Sequence, residues 1–465
     1  MLTRFEVSGF KNLTDVVLDL GPFTCIAGPN AVGKSNLFDA IEFLSLLADN
    51  TFVEACAKIR AVESARAADL KALLSTDVIE GKSNLRFAAE MIVPEKVQDE
   101  FSQEAQASKT YVRYEVELTL VPDPVQHDVK TLRLAHELLK PLAKNHENGK
   151  ALFGQYPPLK GAVTGRRKID YMTMERDHDD KRLVAISVSG EQRGRPRKVS
   201  VERSQRTVLS ALASAEYPTL LAARAEMASW RLVALESTAM RSPDDRMETR
   251  EIDAAGAHIP ATLHRRRLGK RSEILKELTK DVSALVDLRS LTVFEDDTRQ
   301  TLELRARVGE APELPARSLS DGTLRFLALA AMKYTEVPIG LLCMEEPENG
   351  IHPAKIEAML NLLRRLSEPI DTMPRQVLIN THSPYMVQEI QREHPEEIVV
   401  AQAWRRRSEE GEISSTTSFH PLPGTWRALK WEALEDRPRA QAPVSLSKLF
   451  AFLKNPSTHS EVDSE

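Results

Sequence analysis

Residues 28–35 read Gly-Pro-Asn-Ala-Val-Gly-Lys-Ser, the pattern G-x-x-x-x-G-K-[ST], directly after the strand-like run Phe23-Thr24-Cys25-Ile26-Ala27. In that setting Gly28 and Gly33 let backbone N–H groups turn inward around a phosphate, Lys34 adds positive charge for the outer phosphates, and the Ser35 hydroxyl suits Mg2+. The segment Asn36-Leu37-Phe38-Asp39-Ala40-Ile41-Glu42-Phe43-Leu44 has apolar residues at helical spacing, so the loop opens a helix whose positive end faces the phosphates. A nucleoside triphosphate site on a strand, loop and helix is predicted, and with it an α/β fold.

At 465 residues the chain suggests two or three domains, or one domain carrying a large insertion. There is no run of about 18 apolar residues, and Met1-Leu2-Thr3-Arg4-Phe5 starts with strand-like alternation rather than a leader. The expectation is a cytoplasmic protein, neither secreted nor membrane-spanning. Cys25, Cys56 and Cys343 are odd in number and unspaced for metal, which suits a reducing compartment. A net charge of −5 argues against a uniformly basic nucleic-acid binder. Basic residues nevertheless cluster at 166–168, 193–206, 265–267 with 270–271, and 405–407. Such runs are mostly solvated faces; several converging in space would form a DNA or RNA track.

Along the chain, the first 45 residues predict strand, turn, strand, phosphate loop and helix. Residues 85–93 and 111–121 alternate as strands ended by Pro94 and Pro122, fitting an antiparallel sheet beside the loop. From about 145 to 290 the pattern loosens, with a strand-like run at 183–188 and helix-like stretches at 208–221, interrupted by Pro218, and 274–285. No clean heptad seam persists there, so a globular or short helical lobe is expected rather than a long coiled-coil arm. Strand-like alternation returns at 302–308, followed by a helix-like run to Met332, buried-strand candidates at 339–344 and 376–381, and a possible strand at 398–401. The end, 455–465, is polar and expected to fray.

Three further features carry chemistry. The apolar run Leu341-Leu342-Cys343-Met344 leads straight into Glu345-Glu346, which places Glu345 to hold Mg2+ and Glu346 to act as general base on an attacking water. Ser320-Asp321-Gly322 precedes a helix-like run, as either an ordinary N-cap or a phosphate-binding turn. His382 follows the strand 377–381.

Taken in order, the phosphate loop, long insertion, Ser-Asp-Gly-Thr, Glu-Glu-Pro-Glu-Asn-Gly-Ile-His-Pro and Thr-His-Ser-Pro make the chain resemble the ABC-type ATPases that include SMC, RecF and OLD (overcoming lysogenization defect) proteins. The OLD-like AAA ATPases are the nearest likeness, strongest over 1–45 and 315–385. This resemblance implies an ATPase head with a mixed central sheet flanked by helices plus an antiparallel sheet, and a large mixed or helical insertion. Its N-terminal half would span 1–145, the insertion 146–290, the C-terminal half 291–405, and an extension with a frayed tail 406–465. It also implies that Gly28, Asn30, Gly33, Lys34, Ser35 and Asn36 cradle ATP and Mg2+, that Lys11 or Asn12 approaches the nucleotide, and that Glu345 sits at the metal. Glu346 would activate water and His382 contact the γ-phosphate. Ser320 and Gly322 would reach across a head-to-head dimer, with Asn349 in a loop that communicates between its two sites. Glu345 replaces the family's more usual aspartate. The family's glutamine between the phosphate loop and the signature has only Gln98 and Gln155 as candidates.

No Asp-x-Asp follows His382, so no nuclease is expected within this sequence. Stand-alone heads of this kind resemble ATPase subunits of two-component anti-phage systems such as Septu and PARIS, which implies a separate nuclease or toxin as partner. A RecF-like DNA-repair clamp, a nucleotide-gated scaffold without turnover and a transporter ATPase are the rival expectations.

Overall fold

The computed structural model describes residues 1–59, 70–122, 130–176, 181–186, 197–212, 214–268, 273–335, 339–369, 374–407, 413–454 and 462–463. The strand Phe23–Ala27 is buried at every position. Its continuous apolar run is what a parallel strand covered on both faces requires. It lies between Gln376–Thr381 and Ile398–Arg407, parallel to both. Outward from Gln376–Thr381 come Leu341–Glu345 and then Trp230–Val233, also parallel, while Ile413–Pro421 closes the other edge as an antiparallel strand. The ends of three neighbouring parallel strands therefore bring the phosphate loop, Glu345 and His382 to one edge of the sheet.

A second sheet is antiparallel throughout, in the order Arg197–Ser200, Arg182–Ile186, Met172–Arg176, Lys130–Pro141, Tyr111–Pro122, Leu85–Ile92, Leu2–Ser8 and Val16–Asp19. The phosphate-loop helix Lys34–Leu46 is joined to it through Phe10, Phe43 and Phe87, whose ring centroids lie 5.6–6.0 Å apart. Each of these rings is essentially fully buried, worth about 2 kcal/mol apiece by area. Gln376 stitches the two sheets: its side chain accepts from the Leu2 N–H at 3.0 Å and donates to the Leu2 and Gly21 carbonyls at 2.7 and 2.8 Å. A buried amide with three partners fixes the register of both sheets.

A smaller sheet of Asp244–Asp245, Leu288–Asp296, Thr301–Val308 and Leu314–Pro315 packs with the helices Ile259–Leu268, Ile274–Ser283 and Asp321–Ala331. The expected strands at 85–93, 111–121 and 302–308 and the helix at 274–285 all form. The strand expected at 183–188 appears as Arg182–Ile186, its last two residues lying outside the described set.

Residues 146–290 contribute to all three of these sheets. Met172–Arg176, Arg182–Ile186 and Arg197–Ser200 extend the antiparallel sheet, and Trp230–Val233 joins the parallel one. Pro218 does not interrupt a helix. It occupies the first turn of Pro218–Ala228, where its missing N–H costs nothing, after the separate short helix Val208–Ala211. Of 455–465, the structure describes only Val462–Asp463, paired in parallel with Arg405 and Arg406.

Candidate functional site

The turn 28–33 must pass tightly between the central strand and the helix, and its backbone records this. Ala31 and Gly33 have φ of 64° and 99°. A Cβ on Gly33 would lie 2.1 Å from Thr417 Oγ1, and one on Gly28 would lie 2.5 Å from the Ala401 carbonyl oxygen, so only glycine fits either place. The helix that follows has no side-chain cap and no acidic residue in its first turn, which leaves its N–H groups and positive end for an anion. Lys34 is buried and donates to the Gly28 and Pro29 carbonyls at 2.7 and 2.6 Å. Burial pulls its ammonium down to about 8, against the upward pull of neighbouring groups that include Glu346, Glu348 and Glu345. Glycine turns, open helix N–H groups, a buried lysine and facing carboxylates fit a triphosphate with its divalent cation. Asn30 is exposed and Ser35 half-buried at the mouth of the turn.

Beneath the loop is a brace drawn from distant segments. Asn36 Nδ2 donates to Asn12 Oδ1 at 2.7 Å, Asn12 Nδ2 to Thr417 Oγ1 at 3.0 Å, and Thr417 Oγ1 to the Val32 carbonyl at 2.5 Å. Lys11 pairs with the buried Asp39 on the helix. Both residues expected to approach the nucleotide, Lys11 and Asn12, thus have partners that support the loop.

Facing it, Glu346 follows the strand Leu341–Glu345 with φ 43°, a left-handed conformation rare outside glycine that costs about 1–3 kcal/mol. Its N–H is held by both the carbonyl and the side-chain oxygen of Asn380, at 3.1 and 3.0 Å. The carboxylate is gripped at both oxygens: Oε1 lies 2.6 Å from His382 Nδ1, and Oε2 accepts from Asn349 Nδ2 at 2.8 Å. Burial raises the Glu346 carboxyl, but the bonds from Asn349 and His382 and the charges of His382 and Lys34 outweigh it and hold it below the ordinary range. A carboxylate kept ionised, oriented and half-buried opposite the phosphate loop can take a proton from water. Glu348, two residues on, is buried, and burial pushes its carboxyl above the usual range.

Ser320 and Gly322 stand apart. Ser320 is exposed and caps the helix Asp321–Ala331, accepting from the Thr323 N–H at 3.2 Å, while Asp321 pairs with Arg241 at 2.7 Å. A Cβ on Gly322 would meet nothing within 4 Å. Among the described residues neither bonds to the phosphate loop. The link from this helix to the acidic loop is Arg325, which donates to the Asn349 carbonyl at 3.0 Å. Between them runs a cleft of about 640 Å3 whose walls include Arg325, Glu345, Glu346, Asn349 and Glu236.

Gln98 and Gln155 are both exposed, one on the ribbon of Lys96–Gln98 and Glu104–Gln106 and the other ending the helix Glu147–Gln155. Trp230–Val233 is the strand beside Leu341–Glu345, and Glu236, just past its end, lines the same cleft as the acids. Sequence reasoning missed this strand, Thr417, Asn380, Asp39 and the burial of Glu348. Of the basic clusters, Lys198 pairs with Glu175, Arg265 and Arg266 with Glu251, and Arg267 with Glu295. Residues 193–196 and 270–271 lie outside the described set. No helix among the described residues is long and apolar enough to cross a membrane.

A 44-residue stretch is 46% identical to the OLD nuclease of Thermus scotoductus, covering 10% of this chain and only 8% of that protein. Among solved structures, the chain is similar to the Smc head bound to the C-winged helix domain of ScpA, with TM-score 0.46 and 15% identity over 91% of this chain and 98% of that one. It is also similar to the SMC head domain from Thermotoga maritima, with TM-score 0.34 and 11% identity over 90% and 98%. Residues 23–116 and 160–388 match the family described as "AAA domain, putative AbiEii toxin, Type IV TA system". These segments span well over half of the sequence and take in the phosphate loop, Ser320, Glu345, Glu346 and His382, and the chain belongs to that family of AAA-domain ATPases.

Proposed function

We propose that this protein binds and hydrolyses ATP with Mg2+, that two copies meet head to head, and that the nucleotide state gates a separate effector, a nuclease or toxin, in bacterial anti-phage defence. The observation that carries the hydrolytic reading is the grip on Glu346 by His382 and Asn349 opposite Lys34. A residue serving only as a surface acid has no need of two oriented partners and a left-handed backbone.

In this reading Lys34 and the N–H groups of 28–36 hold the phosphates, and Ser35 and Glu345 hold the cation. The cation neutralises charge on the phosphates and orients them. Glu346 would accept the proton of the attacking water as the water oxygen bonds to the γ-phosphorus and the bond from that phosphorus to the bridging oxygen breaks, leaving ADP and phosphate, with His382, bonded to Glu346, beside the terminal phosphate. Ser320 and Gly322 complete the partner's site, which accounts for the exposure of Ser320 and for the lack of a bond from either to the phosphate loop of their own chain. Asn349 bonds to both Glu346 and Arg325, so closure of the partner's site is felt at the chain's own base.

The defence role is supported by the toxin–antitoxin wording of the family's description and by the short match to an OLD nuclease. A DNA clamp is less favoured, since Lys198, Arg265, Arg266 and Arg267 of the basic clusters are paired with carboxylates. The test is ATP turnover by the purified chain beside Glu346→Gln, followed by capture of partners on the ATP-bound variant. A stoichiometric nuclease or toxin supports gating, and recovery of DNA alone supports the clamp. Wild-type turnover no faster than that of Glu346→Gln would overturn the hydrolytic reading.

A further inference from the structure

The roles above leave one carboxylate of the acidic loop unused. Glu348 is only 8% exposed, and its Oε1 accepts the Thr381 hydroxyl. Its Oε2 is buried and has no hydrogen-bond partner among the described residues. Leaving such an oxygen without a donor costs about 1–3 kcal/mol, which a fold avoids unless something supplies the donor. The same Thr381 hydroxyl accepts the Ser383 N–H at 2.9 Å, so Glu348 fixes the turn on both sides of His382. The carboxyl also acts electrostatically on Cys25, in the strand before the phosphate loop, and on Lys34, at the start of the helix after it. It therefore sits within electrostatic reach of the phosphate site.

We propose that Glu348 is a positioning residue of the nucleotide site, with its two oxygens doing separate work. Oε1 pins the turn 381–383 behind His382, and Oε2 accepts a hydrogen bond from a water carried by the divalent cation that accompanies the nucleotide. The proposal rests on the ATPase reading above. Mg2+ gives up its waters reluctantly, and the waters it keeps need acceptors. Carboxylates that orient ligands from outside the coordination sphere commonly set metal affinity. His382, which acts electrostatically on Glu348, bonds through Nδ1 to Glu346, and Lys34 donates to two loop carbonyls, which leaves Oε2 for a donor brought by the ligand.

Two variants separate the two oxygens. Glu348→Gln keeps an oxygen for Thr381 and sets an NH2 group where an acceptor stood. Thr381→Val removes the pin and keeps the acceptor. The full chain is titrated with a fluorescent ATP analogue, without metal and across a series of Mg2+ concentrations, and Mn2+ binding in the presence of ATP is followed by electron paramagnetic resonance. For Glu348→Gln the circular dichroism should match wild type and the metal-free nucleotide affinity should not fall, while half-maximal tightening should need about tenfold more metal. For Thr381→Val the metal requirement should stay put and turnover should fall, because His382 is displaced. A Glu348→Gln metal titration that overlays wild type, with nucleotide binding intact, overturns this proposal alone. Equal shifts in both variants assign Glu348 a structural role only and overturn it as well. Absence of nucleotide binding in the wild-type chain overturns the ATPase reading and this one together.

Discussion

The phosphate loop and the turn at Ser320 are both glycine-bearing helix starts, yet they are built in opposite ways. The loop is enclosed: Gly28 and Gly33 abut other strands, Lys34 is buried, and Asn12, Asn36 and Thr417 brace it from three separate segments. The Ser320 turn is exposed, bonded within its own helix start and to Arg241, with open space at Gly322. Enclosure prepares a site in advance, whereas the exposed Ser320 turn is left open for the head-to-head contact proposed above.

The comparison breaks most readily at Lys34. Lys34→Ala should weaken ATP binding by at least about 100-fold, roughly 3 kcal/mol for a charge-assisted contact, by equilibrium titration. Unchanged affinity would remove the enclosed site from the account. Glu346→Gln should retain ATP binding while turnover falls by about 10²–10⁴-fold, since an amide cannot take the water's proton, and sedimentation with ATP should find the variant held as a dimer.

The exposed half is tested by complementation. Ser320→Arg should bind ATP as wild type but turn over about tenfold more slowly or worse, from the loss of preorganised donors. Mixing it with Lys34→Ala should restore part of the activity if two copies share sites as proposed, because one of the two sites would then have both halves intact. A mixture no more active than its components would argue that each chain works alone. Smaller effects sharpen the enclosed side. Thr417→Val keeps the shape and loses two hydrogen bonds, so ATP affinity should drop by about fivefold, near 1 kcal/mol. Lys34 is charged below about 8, so ATP affinity should be full at pH 7 and decline as pH rises through 8. A flat profile between pH 7 and 9 would mean that no ammonium losing its proton in that range contacts the phosphates.

The sequence made the contiguous parts of the site legible. Strand, loop and helix at 23–44, the apolar run ending in Glu345-Glu346, and the strand before His382 each carry their signal within ten or twenty residues. What stayed hidden arrives by long-range pairing. Thr417 lies in Ile413–Pro421, where polar and β-branched residues mask any clean alternation, and its importance depends on a partner nearly 400 residues away. Glu348 was in plain view within Glu-Pro-Glu-Asn, but charge reads as exposure in a single sequence, and its burial follows from how Thr381 packs. Trp230–Val233 is too short to stand out without its partner Leu341–Glu345.

The brace also sets an order in time. A ribosome delivers Gly33 early and Thr417 much later, so the complete motif exists for most of synthesis without the strand that closes it from behind. A nascent or truncated chain lacking Ile413–Pro421 would carry every residue of the phosphate loop and still lack the support that shapes it. An unfinished copy would therefore hold nucleotide less tightly than the finished molecule, by the margin that Thr417→Val removes or more.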